Sequence, residues 1–507
     1  MGIVIRRSLN ATLVGYVGFL LGAFNQVILF PAWLTPAQLG IKEVLLSAAL
    51  FISMFSQFGV HFIMARFFPY FEDRTKQHNG FLLFCLLLGT VGFLTAAVGV
   101  GLGREQLLTL FAEKSPGMHP HFWLVLPLTF CIGLQNILET WSRLHMNIMA
   151  NTLTRELLLR VALTILALLF GKGHIDFGQF LLGYTLSYLI VCLLLVMHLK
   201  RMGILFLDAT YLKVDKKRLA DMLQYGAYVI LGGAGYVVAE RIDGLMLASM
   251  TGLEFTGIYS MAFFIAALIE LPRRAISQLT ATLFAGHWKN EDFPAMQVLF
   301  RQVSINQFLL GALILLLIWT NLDFLFWMMP NGEIYQAGRY VVLIIGLTKV
   351  VDLLFGGNHE ILLNSPAYRF SLIALVFLGV ISFSINYLMI PIYGMNGAAA
   401  GTVVSVLLYN SLKSGFIWFR YRLWAFDQKT MYALMLVGGL FALQAIWPTQ
   451  HMSNPVELLS VSLVKSLVLM LLFTAVLFRY QLSPEISEMW FKNKHLIVSR
   501  FTKKPKS

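Results

Sequence analysis

The chain has 507 residues, of which 58% are hydrophobic and 12% charged, against about 25% charged in an ordinary soluble domain. A soluble chain of this length would need far more Lys, Arg, Asp and Glu to cover its surface, so the composition excludes that class and calls for lipid. The net charge of +13 raises the question of a nucleic-acid partner, which the placement of the charges answers below.

A helix crossing the hydrocarbon layer needs roughly 20 apolar residues, because no backbone polar group can go unpaired there. In chain order such runs fall at 12–33, 41–64, 80–102, 123–148, 155–171, 178–198, 224–250, 257–285, 302–328, 340–363, 369–391, 396–419, 430–447 and 457–479. The chain is thus read as an all-α integral membrane protein with about 14 transmembrane helices. Arg6 and Arg7 ahead of the first run mimic a signal peptide, but the run is too long and lacks a clear cleavage site, so it reads as a retained span. Cys85, Cys131 and Cys192 lie in apolar runs without CxxC or zinc spacing, which implies neither a disulfide framework nor a metal site.

An even count places both termini on one side. That side collects 25 of the 38 Lys and Arg, while five (Lys42, Arg104, Lys114, Lys172 and Arg339) fall in the opposite connections. Such a bias marks the cytoplasmic side. The basic surplus is therefore topology, and no nucleic acid is needed. The basic tail, 481–507, is expected either to lie along anionic lipid headgroups or to be a disordered tail held by the same attraction.

The connection from Leu199 to Leu223 carries six Lys or Arg and is the natural boundary. It divides the chain into an N-terminal lobe (1–200, spans one to six), a cytoplasmic linker (201–222), a C-terminal lobe (223–423, spans seven to twelve), spans thirteen and fourteen (424–480) and the tail. An offset of 217 to 218 pairs the stretch from Leu34 to Gly40 with that from Thr251 to Gly257, Gly183 with Gly401, and Ser187 with Ser405. Because that offset covers six spans, an even number, the two repeats are expected to be parallel, related by an axis along the membrane normal.

Several stretches resemble one family. Asp221-Met222-Leu223-Gln224-Tyr225-Gly226, then Ile242-Asp243-Gly244-Leu245-Met246-Leu247, then Gly257-Ile258-Tyr259-Ser260 are similar to the seventh and eighth spans of the polysaccharide flippases of the multidrug/oligosaccharidyl-lipid/polysaccharide exporter superfamily. The stretch from Asn386 through Pro391 and Gly394 to Gly401 resembles that family's turn between spans eleven and twelve. Thr154 to Arg160 and Gly40 to Pro69 are similar too, and Tyr228 departs from the proline common in relatives after the Tyr-Gly pair. The resemblance implies two six-helix repeats forming a V-shaped two-lobe transporter plus two C-terminal helices. It also implies a lipid-linked (undecaprenyl-pyrophosphate) oligosaccharide carried from the inner to the outer leaflet of a bacterial inner membrane. The substrate would cross by alternating access, without a cofactor, with polysaccharide-assembly enzymes as candidate contacts.

A charge inside the hydrocarbon is costly, so each one faces a cavity or a partner. Glu139 and Arg143 in span four, and Glu156 and Arg160 in span five, are four apart with the acid first, the spacing of an intrahelical pair. Glu240, Arg241 and Asp243 lie in span seven, where Glu240 and Arg241 point about 100° apart and need other partners or water. Span eight carries Glu270, Pro272, Arg273 and Arg274. The proline frees carbonyls for a hinge, and the arginines either present planar donors to a phosphate or snorkel and pair with Glu270. Lys349 and Asp352 in span ten are three apart and read as a pair. Lys413 is close enough to the cytoplasmic edge to snorkel, and Lys465 is placed to reach the outer interface.

Eight in-span basic residues against six acidic ones leave a positive balance, which suits an anionic headgroup. Arg273, Arg274, Arg241, Arg143 and Lys349 are therefore the candidate substrate-binding residues, with Asn25 and Gln26, which align with Ile242 and Asp243 at the repeat offset and serve either a cavity or a helix-helix hydrogen bond. Asp243, Glu240 and Glu270 are the candidate groups for a coupling H⁺ or Na⁺. Two other functions compete: a cation-coupled drug antiporter of the same superfamily, and a membrane-embedded sugar polymerase or ligase. The second would want a large external loop, whereas the longest, 103–122, has about 20 residues with Arg104, His119 and His121. No Walker A, GxSxG or HExxH motif appears.

Overall fold

The computed structural model describes residues 2–73, 75–208, 210, 215–447 and 455–485, the side chains of 2–12 and of a few helical residues, Arg274 among them, excepted. Among the described residues every regular element is helical. Most of the basic tail lies outside them.

We number the long helices α1 (Gly2–Phe24), α2 (Pro36–Ser56), α3 (Phe81–Leu102), α4 (Val125–Leu144), α5 (Leu159–Gly171), α6 (Phe177–Arg201), α7 (Lys216–Met250), α8 (Leu253–Ala267, resuming as Leu271–Lys289), α9 (Phe293–Thr320) and α10 (Arg339–Leu354). The helix Tyr368–Tyr421 contains Gly394 at φ 57°, ψ −132°, a conformation that favours glycine; its two parts, 368–393 and 395–421, are α11 and α12. Then come α13 (Gln428–Ile446) and α14 (Pro455–Arg479).

Ten helices among the described residues are long and apolar enough to cross a membrane, or eleven when the pair Gly332–Leu354 and Asn358–Asn364, bent by 48°, is taken as one broken span. Each of the fourteen expected stretches is largely helical, with turns at 57–59, 145–147, 321 and 355–357 inside four of them, and the lower count follows from particular stretches and how they are joined. The eleventh and twelfth are merged in one 54-residue helix; the tenth is the bent pair; the fifth carries Arg155, Glu156 and Arg160 at its start; and the seventh lies in α7, which runs 35 residues unbroken through Tyr228 but includes residues whose side chains are not described.

Local chemistry fixes the starts. Thr35 Oγ1 accepts from Gln38 N (3.3 Å) and Gln38 Oε1 from Thr35 N (2.9 Å), a capping box with Pro36 in the first turn. Asp176 with Gln179 does the same for α6. Because α2 begins at Pro36, Lys42 sits in its second turn and is 5% exposed, not in the outer connection where its charge was assigned. The 103–122 segment folds into the helix Arg104–Ala112 and the 3-10 turn Pro116–Leu124. There His119 and His121 are half-buried, His121 edge-on to Phe177 at 5.5 Å.

The chain forms two compact units. One comprises the residues up to Met261 with Met329–Gly338 and Leu375–Thr402; the other comprises Ala262–Met328, Arg339–Ala374 and the chain from Val403 onward. The first has a core around Trp141, Phe68, Phe71, Phe81 and Leu195; the second has two, around Leu309, Leu315 and Phe473 and around Phe284, Phe300 and Ile417. Trp141 is fully buried, donates its indole N–H to Ile204 O at 2.7 Å and meets Phe68 edge-on at 5.4 Å. Trp141→Ala is expected to cost about 3–5 kcal/mol. Reversible unfolding in mixed micelles checks this, and a loss below about 1 kcal/mol would mean that the ring does not hold the core together.

Candidate functional site

In the second unit, two broken helices meet at their breaks. A 3-10 turn, Leu268–Glu270, interrupts α8 just before Pro272; α10 ends at Leu354, and Gly357 (φ 94°) starts the next short helix. Each helix carries one acid and one base three residues apart, in opposite order. Lys349 Nζ lies 2.9 Å from Glu270 Oε1, and Arg273 Nη1 pairs with Asp352 Oδ2. The pairs thus form between helices, correcting the expected Lys349–Asp352 pair within one; the alternative Glu270–Arg274 pair involves a side chain outside those described. Asn410 Nδ2 donates to Asp352 Oδ1 at 2.8 Å.

This ladder of Glu270, Arg273, Lys349 and Asp352 is electrically balanced, so the expected cationic surplus is absent from it. It is also half-open: the Arg273 side chain keeps 31% exposure and Asp352 19%. An arrangement of this kind can exchange partners, releasing a guanidinium and an ammonium when the carboxylates are neutralised or displaced. Lys413 is nearby but 2% exposed, donating to Tyr409 Oη at 3.2 Å with its ammonium 4.5 Å from that ring. It does not snorkel. Lys465 is buried too, donating to Trp447 O rather than reaching an interface, because the apolar packing of α13 and α14 offers it that carbonyl.

In the first unit, Asp243 is 3% exposed on α7. Its Oδ2 accepts from Tyr259 Oη (2.8 Å) and Thr402 Oγ1 (2.6 Å), and its Oδ1 from Asn386 Nδ2 (2.5 Å). Asn386 Oδ1 is buried and accepts no hydrogen bond. A carboxylate, an amide carbonyl and two hydroxyls gathered in one buried place form a set of oxygen ligands suited to a hard cation or a proton. Tyr259, Asn386 and Thr402 escaped the reading of charges because they are neutral. Asn386 lay in a family-like stretch, and Tyr259 in another, which was the available signal.

The remaining candidates disperse. Asn25, in a π turn, donates to Arg160 O (3.0 Å) and accepts from Thr164 Oγ1 (2.9 Å), so its amide is spent on α5; Gln26 is buried beside it. Arg160 pairs with Glu156 at 2.7 Å as the spacing predicts. Glu139 instead takes Arg155 (3.3 Å) and the Gln135 amide (2.7 Å), because the start of the fifth span brings Arg155 against it, while Arg143 is exposed and donates to Thr140 Oγ1. Glu240 is exposed and Arg241 half-buried. The side chain of Arg274 lies outside those described. Buried Lys42 pairs with half-buried Glu43 at 2.7 Å.

The fold is shared with solved transporters. The structure titled "Lipid II flippase MurJ, inward closed conformation" aligns with a TM-score of 0.72 at 10% identity, covering 93% of this chain and 99% of that one. An inward-facing multidrug resistance MATE family transporter of the MOP superfamily aligns with a TM-score of 0.63 at 15% identity, covering 82% and 97%; an outward-facing one gives 0.53 at 14%, covering 83% and 95%. At such identities the likeness shows the fold alone. No curated protein sequence matches the chain. A family model described as "Polysaccharide biosynthesis protein" matches residues 5–285, more than half of the sequence, and on that match the chain belongs to the polysaccharide biosynthesis protein family.

Proposed function

We propose that the chain is a flippase carrying a lipid-linked, undecaprenyl-pyrophosphate oligosaccharide from the inner to the outer leaflet of a bacterial inner membrane, for surface polysaccharide assembly. The observation that carries this reading is the ladder of Glu270, Arg273, Lys349 and Asp352 at the breaks of two helices, since interrupted membrane helices are where transporters bind substrates and ions. Arg273 and Lys349 would leave their carboxylates for the pyrophosphate, with Arg274, Arg241 and Arg143 as further basic candidates. Asp243, with Tyr259, Asn386 and Thr402, would hold the coupling H⁺ or Na⁺. Glu270, paired with Lys349, and exposed Glu240 are less suited to that part. Both termini would be cytoplasmic, all fourteen stretches would cross, and the lobes would alternate access.

A second reading, a cation-coupled drug antiporter, is favoured by the likeness to the MATE fold. Cells lacking the chain decide between the two. The flippase reading expects lipid-linked oligosaccharide to accumulate on the inner leaflet; unchanged glycolipids together with lost dye efflux would replace it with the antiporter.

A further inference from the structure

Gly40 in the second turn of α2 and Gly257 in the second turn of α8 sit against each other's helix starts. A β-carbon on Gly40 would be driven into the carbonyl of Leu253, and one on Gly257 into the carbonyl of Pro36, 3.1 Å from Gly40 N. The two contacts are one contact seen twice. Leu253 is Pro36 displaced by 217 residues and Gly257 is Gly40 displaced by the same 217, the offset of the internal repeat. When residue i meets j′ and j meets i′, the surfaces are related by a local twofold. The pseudo-twofold of the duplication therefore passes between these two helix starts, with backbone on backbone and no side chain to yield.

All the chain that gathers here belongs to connections from an odd to an even helix. Ser115 Oγ, between α3 and α4, donates to Ala248 O at the end of α7, and Asn331 Nδ2, between α9 and α10, donates to Pro31 O beyond α1 (2.8 Å). With every helix crossing, as the flippase reading has it, each of these connections lies on the face opposite the N-terminus of α1. The contact between α2 and α7 near Gly59 and Gly226 is of another kind: its partners are not related by the repeat offset.

We infer that the Gly40–Gly257 contact is the seal of the outer face, closed in this structure and parted when the transporter opens outward. The inference rests on the flippase reading for its direction. Because the seal is a twofold contact, leucine at either glycine should hold it open to the same extent, a result that two unrelated packing glycines would not give.

The test places a thiol at Val44, buried one turn along the Gly40 face of α2, and labels intact cells with a membrane-impermeant maleimide. E113C, at an exposed position in the outer segment, is the orientation control, and the parent chain with its three buried cysteines sets the background. In V44C the thiol should label slowly. Adding G40L or G257L should speed labelling by about tenfold or more, equally for the two, as the equilibrium moves to the open form, and flipping of an undecaprenyl-pyrophosphate-linked monosaccharide in proteoliposomes should fall in step. Where leucine prevents insertion, G40A and G257A, whose added carbon already meets the carbonyl, take its place. Unchanged labelling with intact flipping, or a response from one glycine alone, would overturn the seal. A labelling response with no flipping even by the parent chain would leave the seal standing and remove the flippase reading.

Discussion

Arg273→Ala should abolish transport and destabilise the second unit by about 3–5 kcal/mol, because a half-buried carboxylate loses its cation. The variant takes the guanidinium from Asp352 and leaves the Asn410 amide as its hydrogen-bond donor. Stability alone would not separate a structural pair from a binding group. The double variant R273M/D352L does so: with the stranded charge gone and the volume kept, most of the lost stability should return, since replacing both partners of an ion pair by apolar groups of similar size is often nearly neutral, while transport should stay absent. Surface polymer and unfolding in detergent are the two readouts. Normal polymer in the double variant would make the ladder a fold element and nothing more.

The second large effect belongs to Asp243. Asparagine there keeps the shape but turns an amide N–H₂ either toward the Asn386 amide or toward the Tyr259 and Thr402 hydroxyls, all of them donors to the carboxylate, at a stability cost of about 1–3 kcal/mol. Its effect on coupling should be greater. One monovalent ion falling through ~100 mV supplies about 2.3 kcal/mol, enough to bias a transport step roughly fiftyfold. D243N should lose that gradient-dependent part and retain exchange down the substrate's own gradient. Vesicles with imposed pH and Na⁺ gradients measure it; a variant that still responds to them like the parent chain would take coupling away from this residue.

Much of this architecture is legible in the sequence because lipid makes simple demands. Runs of apolar residues must be helices, so each expected stretch proved largely helical, and the two glycines aligned at the offset of 217 meet in the structure. What the residue pattern misled on is pairing. Glu270, Arg273, Lys349 and Asp352 were all singled out, yet intrahelical spacing matched Lys349 with Asp352 rather than with Glu270. The direction of the helices held the answer: Glu270 meets Lys349 and Arg273 meets Asp352 in the same chain order, so the two segments run parallel, and an acid-then-base spacing of three on one registers with base-then-acid on the other. Glu139 went to Arg155 rather than Arg143 for a similar reason, because a neighbouring helix offered a charge that the i,i+4 rule does not consider.

The neutral partners of Asp243 were harder. Asn386 and Thr402 lie 143 and 159 residues away from it and leave no periodic mark in their apolar runs, so only folding gathers them. Lys42 was misplaced by one boundary: the proline at 36 starts a helix that hydrophobicity alone begins at 41, and those few residues carry the lysine from a connection to a buried place beside Glu43.

The central claim is that the ladder receives an anionic headgroup. Titration of the purified chain in nanodiscs with undecaprenyl pyrophosphate, and with undecaprenol as the uncharged reference, tests it most directly. The account predicts that the pyrophosphate binds and that R273Q/K349Q weakens it by about tenfold or more, the scale of one charge-assisted contact, with undecaprenol unaffected. Equal pyrophosphate affinity in the parent chain and in the double variant would contradict it.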